Sequence, residues 1–178
     1  MTINLMNYIC KNPVLIIAFN RPDFLNKLLL TLKKVKPKKI YISIDGPRSD
    51  NFYEDNVNIS KIISLIHKIK WCKFIIFKNN NNLGVGRAPY EAISKCFLKE
   101  KQLIILEDDI IPNISFFKFI DELLLLYKKD KKISHICGTN ILQNNKIFNY
   151  SYDFSQVCQT YGWATWLDRW SEYKFNIN

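Results

Sequence analysis

The sequence lacks several features that would assign it to common classes of protein. No apolar run reaches the roughly 18 residues that a membrane-spanning helix needs. The first 13 residues contain neither a basic start followed by an apolar core nor a small-residue cleavage site, so a secretory signal is not predicted. The five cysteines are scattered and form no C-x-x-C pair, which argues against a zinc site or a disulfide framework and fits a reducing cytoplasm.

Arginine is also scarce, since only four of the 26 basic residues are Arg. A net charge of +10 suits a polyanionic partner such as nucleic acid, an anionic membrane face or a phosphorylated substrate. However, abundant Lys, Asn and Ile indicate an AT-rich genome, which raises the lysine content without selection for a partner. Arginine clusters and nucleic-acid-binding motifs are missing. We therefore expect no nucleic-acid partner and at most weak, salt-sensitive contact with the inner, anionic face of a membrane.

The 178 residues are 48% apolar, which is enough for one domain with a sizeable core. Short apolar runs alternate with amphipathic helical patterns, and this alternation predicts a largely parallel sheet with helices on both faces. Beyond about residue 140 the pattern changes, and we expect a strand at 150–154 and the start of a helix within 161–170. The earlier strands are predicted at residues 14–19, 39–44, 73–77, 103–106 and 134–137, and the helices at 22–36, 59–66, 89–99 and 116–127.

Polar residues follow four of the predicted strands. Arg21 follows the first, Asp45 the second, a polar loop over residues 79–87 the third, and the run Glu107-Asp108-Asp109 the fourth. Ligands of parallel sheets bind beyond the carboxyl ends of the strands, so these residues are candidates for a single site.

Three consecutive carboxylates repel one another unless a cation or hydrogen bonds offset the repulsion. A divalent metal would provide that cation, because Mg²⁺ and Mn²⁺ prefer oxygen ligands and Mg²⁺ commonly combines one or two carboxylates with substrate phosphates. The alternative, that the three acids cap the helix beginning after Pro112, stays open at this point.

For several other residues, a purely structural role is possible as well as a role in ligand binding. Arg21 could bind a phosphate or a base carbonyl, or be a solvated arginine at a helix start. Asp45 could accept from a base N–H, or stabilise an Asp-Gly-Pro turn. Gly84-x-Gly86 could admit a phosphate to a helix start, or form an ordinary loop. His67 and His135 have no partner at metal-binding spacing and are interpreted as structural.

Five motifs together go further than any one of them. They are P-V-L-I-I-A-F-N-R-P at 13–22, S-I-D-G at 43–46, N-L-G at 82–84, L-E-D-D-I-x-P-x-x-x-F-F at 106–117 and G-W-A-T-W at 162–166. In this combination the chain resembles GT-A glycosyltransferases, most closely the N-acetylglucosaminyltransferase I type and its bacterial relatives in polysaccharide assembly. The likeness runs from about residue 13 to 173, and its most specific part is the Glu-Asp-Asp block with the downstream Phe pair.

The resemblance implies one GT-A-like, Rossmann-like nucleotide-sugar-binding domain over residues 1–178, acting as a metal-dependent hexosyl or N-acetylhexosaminyl transferase. Its donor would be a UDP-sugar and its cofactor Mn²⁺ or Mg²⁺. Its acceptor would be a glycan or lipid-linked precursor of a cell-surface polysaccharide or lipopolysaccharide. By position, Asp109 would coordinate the metal that bridges the diphosphate. The nucleotide-sugar site would further comprise Phe19, Arg21, Asp45, Asn82, Gly84, Arg87, Glu107, Asp108, Gly162 and Trp163.

Within that set, the resemblance implies separate roles. Arg21 and Asp45 would hold the uracil or neighbouring parts of the nucleotide. The pair Glu107-Asp108 would contact the ribose and the nucleotide-sugar side, and the pair Gly162-Trp163 would line the acceptor side of the sugar pocket.

An inverting transferase also needs a carboxylate base to deprotonate the acceptor hydroxyl. In the family this base and much of the acceptor site lie further toward the C-terminus than Asn178, so the domain is expected to lack that part. Asp168 and Glu172 are the weak candidates within the chain. One alternative is a non-catalytic or truncated nucleotide-sugar-binding domain that needs a partner or a missing segment for activity. Another is a receiver-type signalling domain, whose acids would follow the first strand rather than the fourth.

Overall fold

The structure is a computed structural model that describes residues 8–139 and 150–175. Strands and helices alternate through most of the chain, which confirms the predicted α/β class. The elements are β1 (Val14–Ala18), α1 (Pro22–Val35), β2 (Ile40–Ile44), α2 (Phe52–Lys68), β3 (Phe74–Lys78), α3 (Gly84–Phe97), β4 (Gln102–Glu107), α4 (Ile114–Leu126), β5 (Ile136–Cys137), β6 (Trp163–Trp166) and α5 (Leu167–Trp170).

The strands of the described residues form one sheet in the order β3-β2-β1-β4-β6-β5. Strands β1 to β4 are parallel to one another, whereas β6 is antiparallel to both β4 and β5. From β1 the chain builds outward through β2 to β3 and then returns to the other side of β1 with β4. The strand order therefore reverses at β1, and the carboxyl ends of β1 and β4 flank the crevice in which sheets of this kind bind ligands.

Helices cover both faces of the sheet. Strands β1 and β2 are buried almost along their whole length, as expected for apolar runs between two helical layers. Helices α1, α2 and α4 pack on one face, where Leu28, Ile62 and Phe117 are fully buried, and α3 packs on the other through Ile93 and Cys96. Each fully buried aliphatic side chain stabilises the fold by about 1.5–3 kcal/mol, so the central strands provide a firm support for the site. None of the helices in residues 8–139 and 150–175 has the length and apolar character needed to traverse a bilayer.

The sequence predicts a helix start within residues 161–170, and for the first part of this segment the prediction is wrong. Residues Trp163–Trp166 form β6, in which Trp163 lies opposite Ile105 and Trp166 opposite Gln102 of β4. Without β6, the outer edge of the buried strand β4 would leave backbone N–H and C=O groups unpaired, and that cost decides the conformation. The helix begins only at Leu167.

Three further predictions differ from the structure, the first of them being α2, which begins at Phe52 rather than near residue 59. Residues 150–154 form no strand; instead Tyr152 and Phe154 pack edge-on against Tyr127, and the hydroxyl groups of Tyr127 and Tyr152 are 2.7 Å apart. Helix α3 begins at Gly84 rather than near residue 89. The helix starts early because the carboxylate of Asp45, the residue directly after β2, accepts from the backbone N–H groups of Leu83 and Gly84.

Candidate functional site

An arginine–carboxylate cluster occupies the crevice at the carboxyl ends of β1 and β4. Arg21 stands immediately before α1 and reaches across to the turn after β4. Its Nη2 lies 2.5 Å from Oδ1 of Asp108, and its Nη1 lies 2.6 Å from Oδ2 of Asp109. The backbone N–H of Phe19 donates to Oδ2 of Asp108 at 3.2 Å. Four predicted site residues, Phe19, Arg21, Asp108 and Asp109, are thus brought into direct contact.

The electrostatics of this cluster favour an additional cation. Asp108 is fully buried, and burial raises the pKa of its carboxyl group, although Arg21 and the N–H of Phe19 act in the opposite direction. Partial burial also raises the pKa of Glu107, and the negative charge of Asp109 raises it further. One guanidinium group therefore faces three carboxylates. A cation placed at this end of β4 would reduce their mutual repulsion.

The carboxylates fit a metal ion that takes most of its ligands from a bound phosphate group and from water rather than from the protein. Within the described part of the chain, no three Asp, Glu, His or Cys side chains are arranged to enclose a metal ion. The side chain of Asp109 is 33% exposed, and Arg21 holds only its Oδ2 atom. One protein carboxylate completed by phosphate oxygens and water is a common arrangement for Mg²⁺. A cavity of about 470 Å³ adjoins Arg21 on its other side, between the start of α1 and Lys61 of α2.

Asp45 lies at the end of β2 and fastens the loop that precedes α3. It is 7% exposed, and its carboxylate accepts from the backbone N–H groups of Leu83 and Gly84 at 3.0–3.1 Å and from the side-chain amide of Asn79 at 3.0 Å. The side-chain amide of Asn82 donates in turn to the carbonyl of Gly46 at 3.0 Å. The first amides of α3 therefore bind a carboxylate of the protein, which explains the early start of this helix.

The close approach of this loop to Gly46 gives a stability prediction. A Cβ atom at residue 46 would lie 2.4–2.6 Å from the backbone of Asn81, which cannot move without disturbing the Asp45 contacts. We expect Gly46→Ala to destabilise the protein by about 1–3 kcal/mol. Gly86→Ala, in the first turn of α3, is the matched control, because its Cβ would make an ordinary 3.6 Å contact with Phe175. Urea unfolding measures both, and equal stability of the two variants would contradict the packing argument.

The remaining residues predicted for the nucleotide-sugar site lie on β6, on the turn before it, and on α3. Gly162 lies near the carboxyl end of β4, since a Cβ there would be 3.4 Å from Leu106 and 3.5 Å from Ile110. Trp163 pairs with Ile105, and its ring packs toward Trp170 at 6.4 Å. Arg87 projects from α3, where its side chain is 60% exposed and pairs with Glu91.

Asp168 and Glu172 are not brought to the cluster. Strand β6 runs antiparallel to β4, so the chain after Trp166 continues at the opposite edge of the sheet, where the N–H of Leu167 donates to the carbonyl of Lys101 at 2.9 Å. Asp168 there forms ion pairs with Lys131 and Arg169. A carboxylate at this edge cannot reach a substrate bound beside Asp109.

Another buried carboxylate, which the sequence motifs did not point to, supports the crevice. Asp55 is fully buried and accepts from Nε and Nη2 of Arg48 at 2.9 and 3.0 Å and from the side-chain amide of Asn20 at 2.7 Å. The guanidinium group of Arg48 lies 5.4 Å from the centre of the Phe19 ring. A signal was present, because Asp55 precedes Ile59 by four residues and so continues the apolar stripe of α2.

This contact gives a pH-dependent prediction. Hydrogen bonds from Arg48 lower the pKa of Asp55 to about 2. The resulting stabilisation is complete above the ordinary pKa of 3.8 and is lost as the pH falls toward 2. We expect Asp55→Ala to cost about 1–3 kcal/mol at neutral pH, and less as the pH falls below 4. Denaturant unfolding at neutral pH and below pH 4 measures the loss of stability, with Asp23→Ala in the first turn of α1 as the control. A cost that does not change with pH would contradict it.

Comparisons with known proteins bear on the fold. No family model matches the chain. The chain is similar to the structure of 4-diphosphocytidyl-2C-methyl-D-erythritol synthase from Anaerococcus prevotii, with a TM-score of 0.50 and 14% identity over 99% of this chain and 81% of that one. A mannosyltransferase from Pyrobaculum calidifontis, in complex with GDP-Man and Mn²⁺, gives a TM-score of 0.46 and 9% identity over 70% of this chain. The present chain spans only 34% of the length of that mannosyltransferase.

At sequence identities this low, the similarity shows the fold alone. The mostly parallel sheet with helices on both faces and the likeness to the synthase confirm the predicted fold class, a Rossmann-like α/β fold of the GT-A type.

Proposed function

We propose that this chain binds a UDP-sugar in the crevice between β1 and β4 and is a glycosyltransferase domain of the N-acetylglucosaminyltransferase I type. The observation that carries the proposal is the position of the arginine–carboxylate cluster at the point where the strand order reverses. Arg21 offers several fixed donors to a phosphate or a base carbonyl, and two carboxylates orient it. Asp108, fully buried beside the end of β1, holds Arg21 and the backbone N–H of Phe19 in place next to the proposed ribose side.

A divalent metal, Mn²⁺ or Mg²⁺, would be held by Asp109 and would neutralise charge on the departing nucleoside diphosphate. Glu107 and Asp108 add negative potential around Asp109. Arg21 shares the Asp109 carboxylate and would contact the same diphosphate.

The acceptor side of the proposed site involves Gly162 and Trp163. Gly162 lies against Leu106 and Ile110, so it borders the turn that carries Glu107 to Asp109. Within this proposal the acceptor is a glycan or lipid-linked precursor of a cell-surface polysaccharide, and the reaction takes place in the cytoplasm. A metal-dependent release of UDP on addition of such an acceptor is the activity expected.

A second candidate function is nucleotide-sugar binding without transfer by this chain. It is favoured by the position of Asp168, which pairs with Lys131 and Arg169 at the edge opposite the crevice. A base for the acceptor hydroxyl would then come from a partner chain or from a segment outside these 178 residues.

Calorimetric titration with UDP, GDP, CDP and ADP in the presence of Mn²⁺ tests the proposed function. We expect UDP to bind most tightly and its affinity to fall on removal of the metal. Assays of UDP release from a panel of UDP-sugars separate the two candidates, because binding without release supports the second. Failure of all four nucleotides to bind would refute both.

A further inference from the structure

The lysines are concentrated at the edge of the sheet opposite the candidate site. Helices α1 to α4 each lead back from the carboxyl edge, so the connections that follow them lie at the amino-terminal ends of the parallel strands. Fifteen of the 22 lysines, with only two acids, fall in four short stretches of these connections. The stretches therefore carry +13, against +10 for the whole chain, which leaves −3 for the remainder. They are residues 33–39, 68–73, 95–101 and 128–132, hereafter the lysine edge.

Contacts link the first, third and fourth stretches, and the sheet brings the second beside the first. Lys39 forms an ion pair with Glu100, which links the first stretch to the third. The guanidinium group of Arg169 donates to the carbonyls of Lys128 and Asp130 at 3.0 Å, while the neighbouring Leu167 bonds to the carbonyl of Lys101. The second stretch leads into β3, the neighbour of β2 in the sheet.

Neither composition nor helix dipoles explain this distribution. A genome that favours lysine codons raises the lysine content throughout a chain and does not separate the two edges of a sheet. Helix C-termini attract basic residues, but the effect is confined to the last turn. Only Lys33, Lys34, Lys68 and Lys95 of the lysine edge lie in such turns, and the other eleven lie outside the helices.

Three exposed leucines accompany the lysines. Leu98, inside the third stretch, is 83% exposed, and Leu125 and Leu126, just before the fourth, are 74% and 63% exposed. Leucines amid lysines fit the boundary between lipid head groups and acyl chains, where basic residues bind phosphates and apolar side chains insert. A nucleic acid would instead favour arginine and stacking aromatic residues.

We propose that the lysine edge docks the protein on an anionic lipid bilayer, with Leu98, Leu125 and Leu126 inserted among the head groups. The carboxyl ends of β1 and β4 then face away from the bilayer, toward the aqueous phase, an orientation that fits a soluble glycan acceptor rather than a lipid-linked one in the same bilayer. This surface and its partner follow from charge and exposure, and do not depend on the function of the crevice.

Co-sedimentation with vesicles tests the proposal, using phosphatidylglycerol mixed with phosphatidylcholine and phosphatidylcholine alone. One variant replaces Lys99, Lys128, Lys129 and Lys132 with Gln. Its matched control replaces Lys27, Lys61, Lys78 and Lys174, which lose the same charge outside the lysine edge. A third variant carries Leu125→Gln and Leu126→Gln. Circular dichroism melting verifies that each variant is folded.

We expect the wild type to bind the anionic vesicles and not the neutral ones. Since a lysine near an anionic surface contributes roughly fivefold to binding, the edge variant should lose at least about tenfold and the control variant much less. The leucine variant should also bind more weakly. Absence of wild-type binding, or equal losses in the edge and control variants, would overturn the proposal. Tighter binding to duplex DNA than to vesicles, with no effect of the leucine changes, would overturn it in favour of a nucleic-acid surface.

Discussion

Replacing Asp109 by asparagine is expected to abolish the mutual enhancement between UDP and Mn²⁺. In the wild type the metal has one partly exposed protein carboxylate and depends on the diphosphate for further ligands. Linkage then requires each ligand to strengthen the other by the same factor, about 5–150-fold for couplings of ordinary size. Asparagine keeps the shape of the side chain but removes its charge. Calorimetric UDP affinities with and without Mn²⁺ measure the effect.

Asp108→Asn is the matched comparison for this variant. Asp108 is fully buried, bonds to Arg21 and to the N–H of Phe19, and is not the proposed metal ligand. We expect its replacement to weaken UDP even without metal while part of the enhancement by Mn²⁺ survives. If Asp109→Asn retained the full enhancement, the metal assignment would be wrong, and Asp108 and Asp109 would be better explained as structural partners of Arg21 and of the Phe19 backbone.

Arg21→Ala is expected to change the affinities for UDP and for the metal in opposite directions. The guanidinium group is the only cation that pairs with Asp108 and Asp109 among the described residues. Its loss removes a charged donor to the nucleotide, worth about 1.5–3 kcal/mol, which corresponds to roughly 10–100-fold weaker UDP binding. The freed carboxylates should bind Mn²⁺ alone more tightly, because no cation then competes for Asp109.

Arg48→Ala is the control for Arg21→Ala. Arg48 is likewise paired with a buried carboxylate at this end of the sheet, but its partner is Asp55 and it makes no contact with residues 107–109. This variant should lose stability without strengthening the binding of Mn²⁺ alone. UDP binding unchanged by Arg21→Ala would remove Arg21 from the proposed site.

The core of the fold is predictable because burial decides it. The runs V-L-I-I-A and I-Y-I-S-I are apolar enough to specify strands covered on both faces, and the leucine and isoleucine stripes of α1 and α2 specify their packing. The run G-W-A-T-W fits a helix or a strand equally well, and only the unpaired edge of β4 decides for a strand.

That local outcome also decides where the late acids lie. Because β6 runs antiparallel to β4 and ends at Trp166, Asp168 lies at the edge of the sheet opposite Asp109. No pattern within residues 161–170 predicts this position. The capping role of Asp45 depends on a contact with Leu83, 38 residues away, and is equally invisible in the local sequence. The sequence predicts that Arg21 and Asp108 lie near each other, because both follow strands of a parallel sheet, but it does not predict that they form an ion pair.

The central claim, a nucleotide and metal site in the crevice between β1 and β4, is tested most directly by amide NMR with paramagnetic Mn²⁺. The account predicts that Mn²⁺ alone has little effect, and that in the presence of UDP it broadens first the amide signals of residues 107–110, then those of Phe19 and Arg21. Broadening centred on the cavity beside Lys61 or on the edge that carries Asp168 would contradict it, as would broadening that does not depend on UDP.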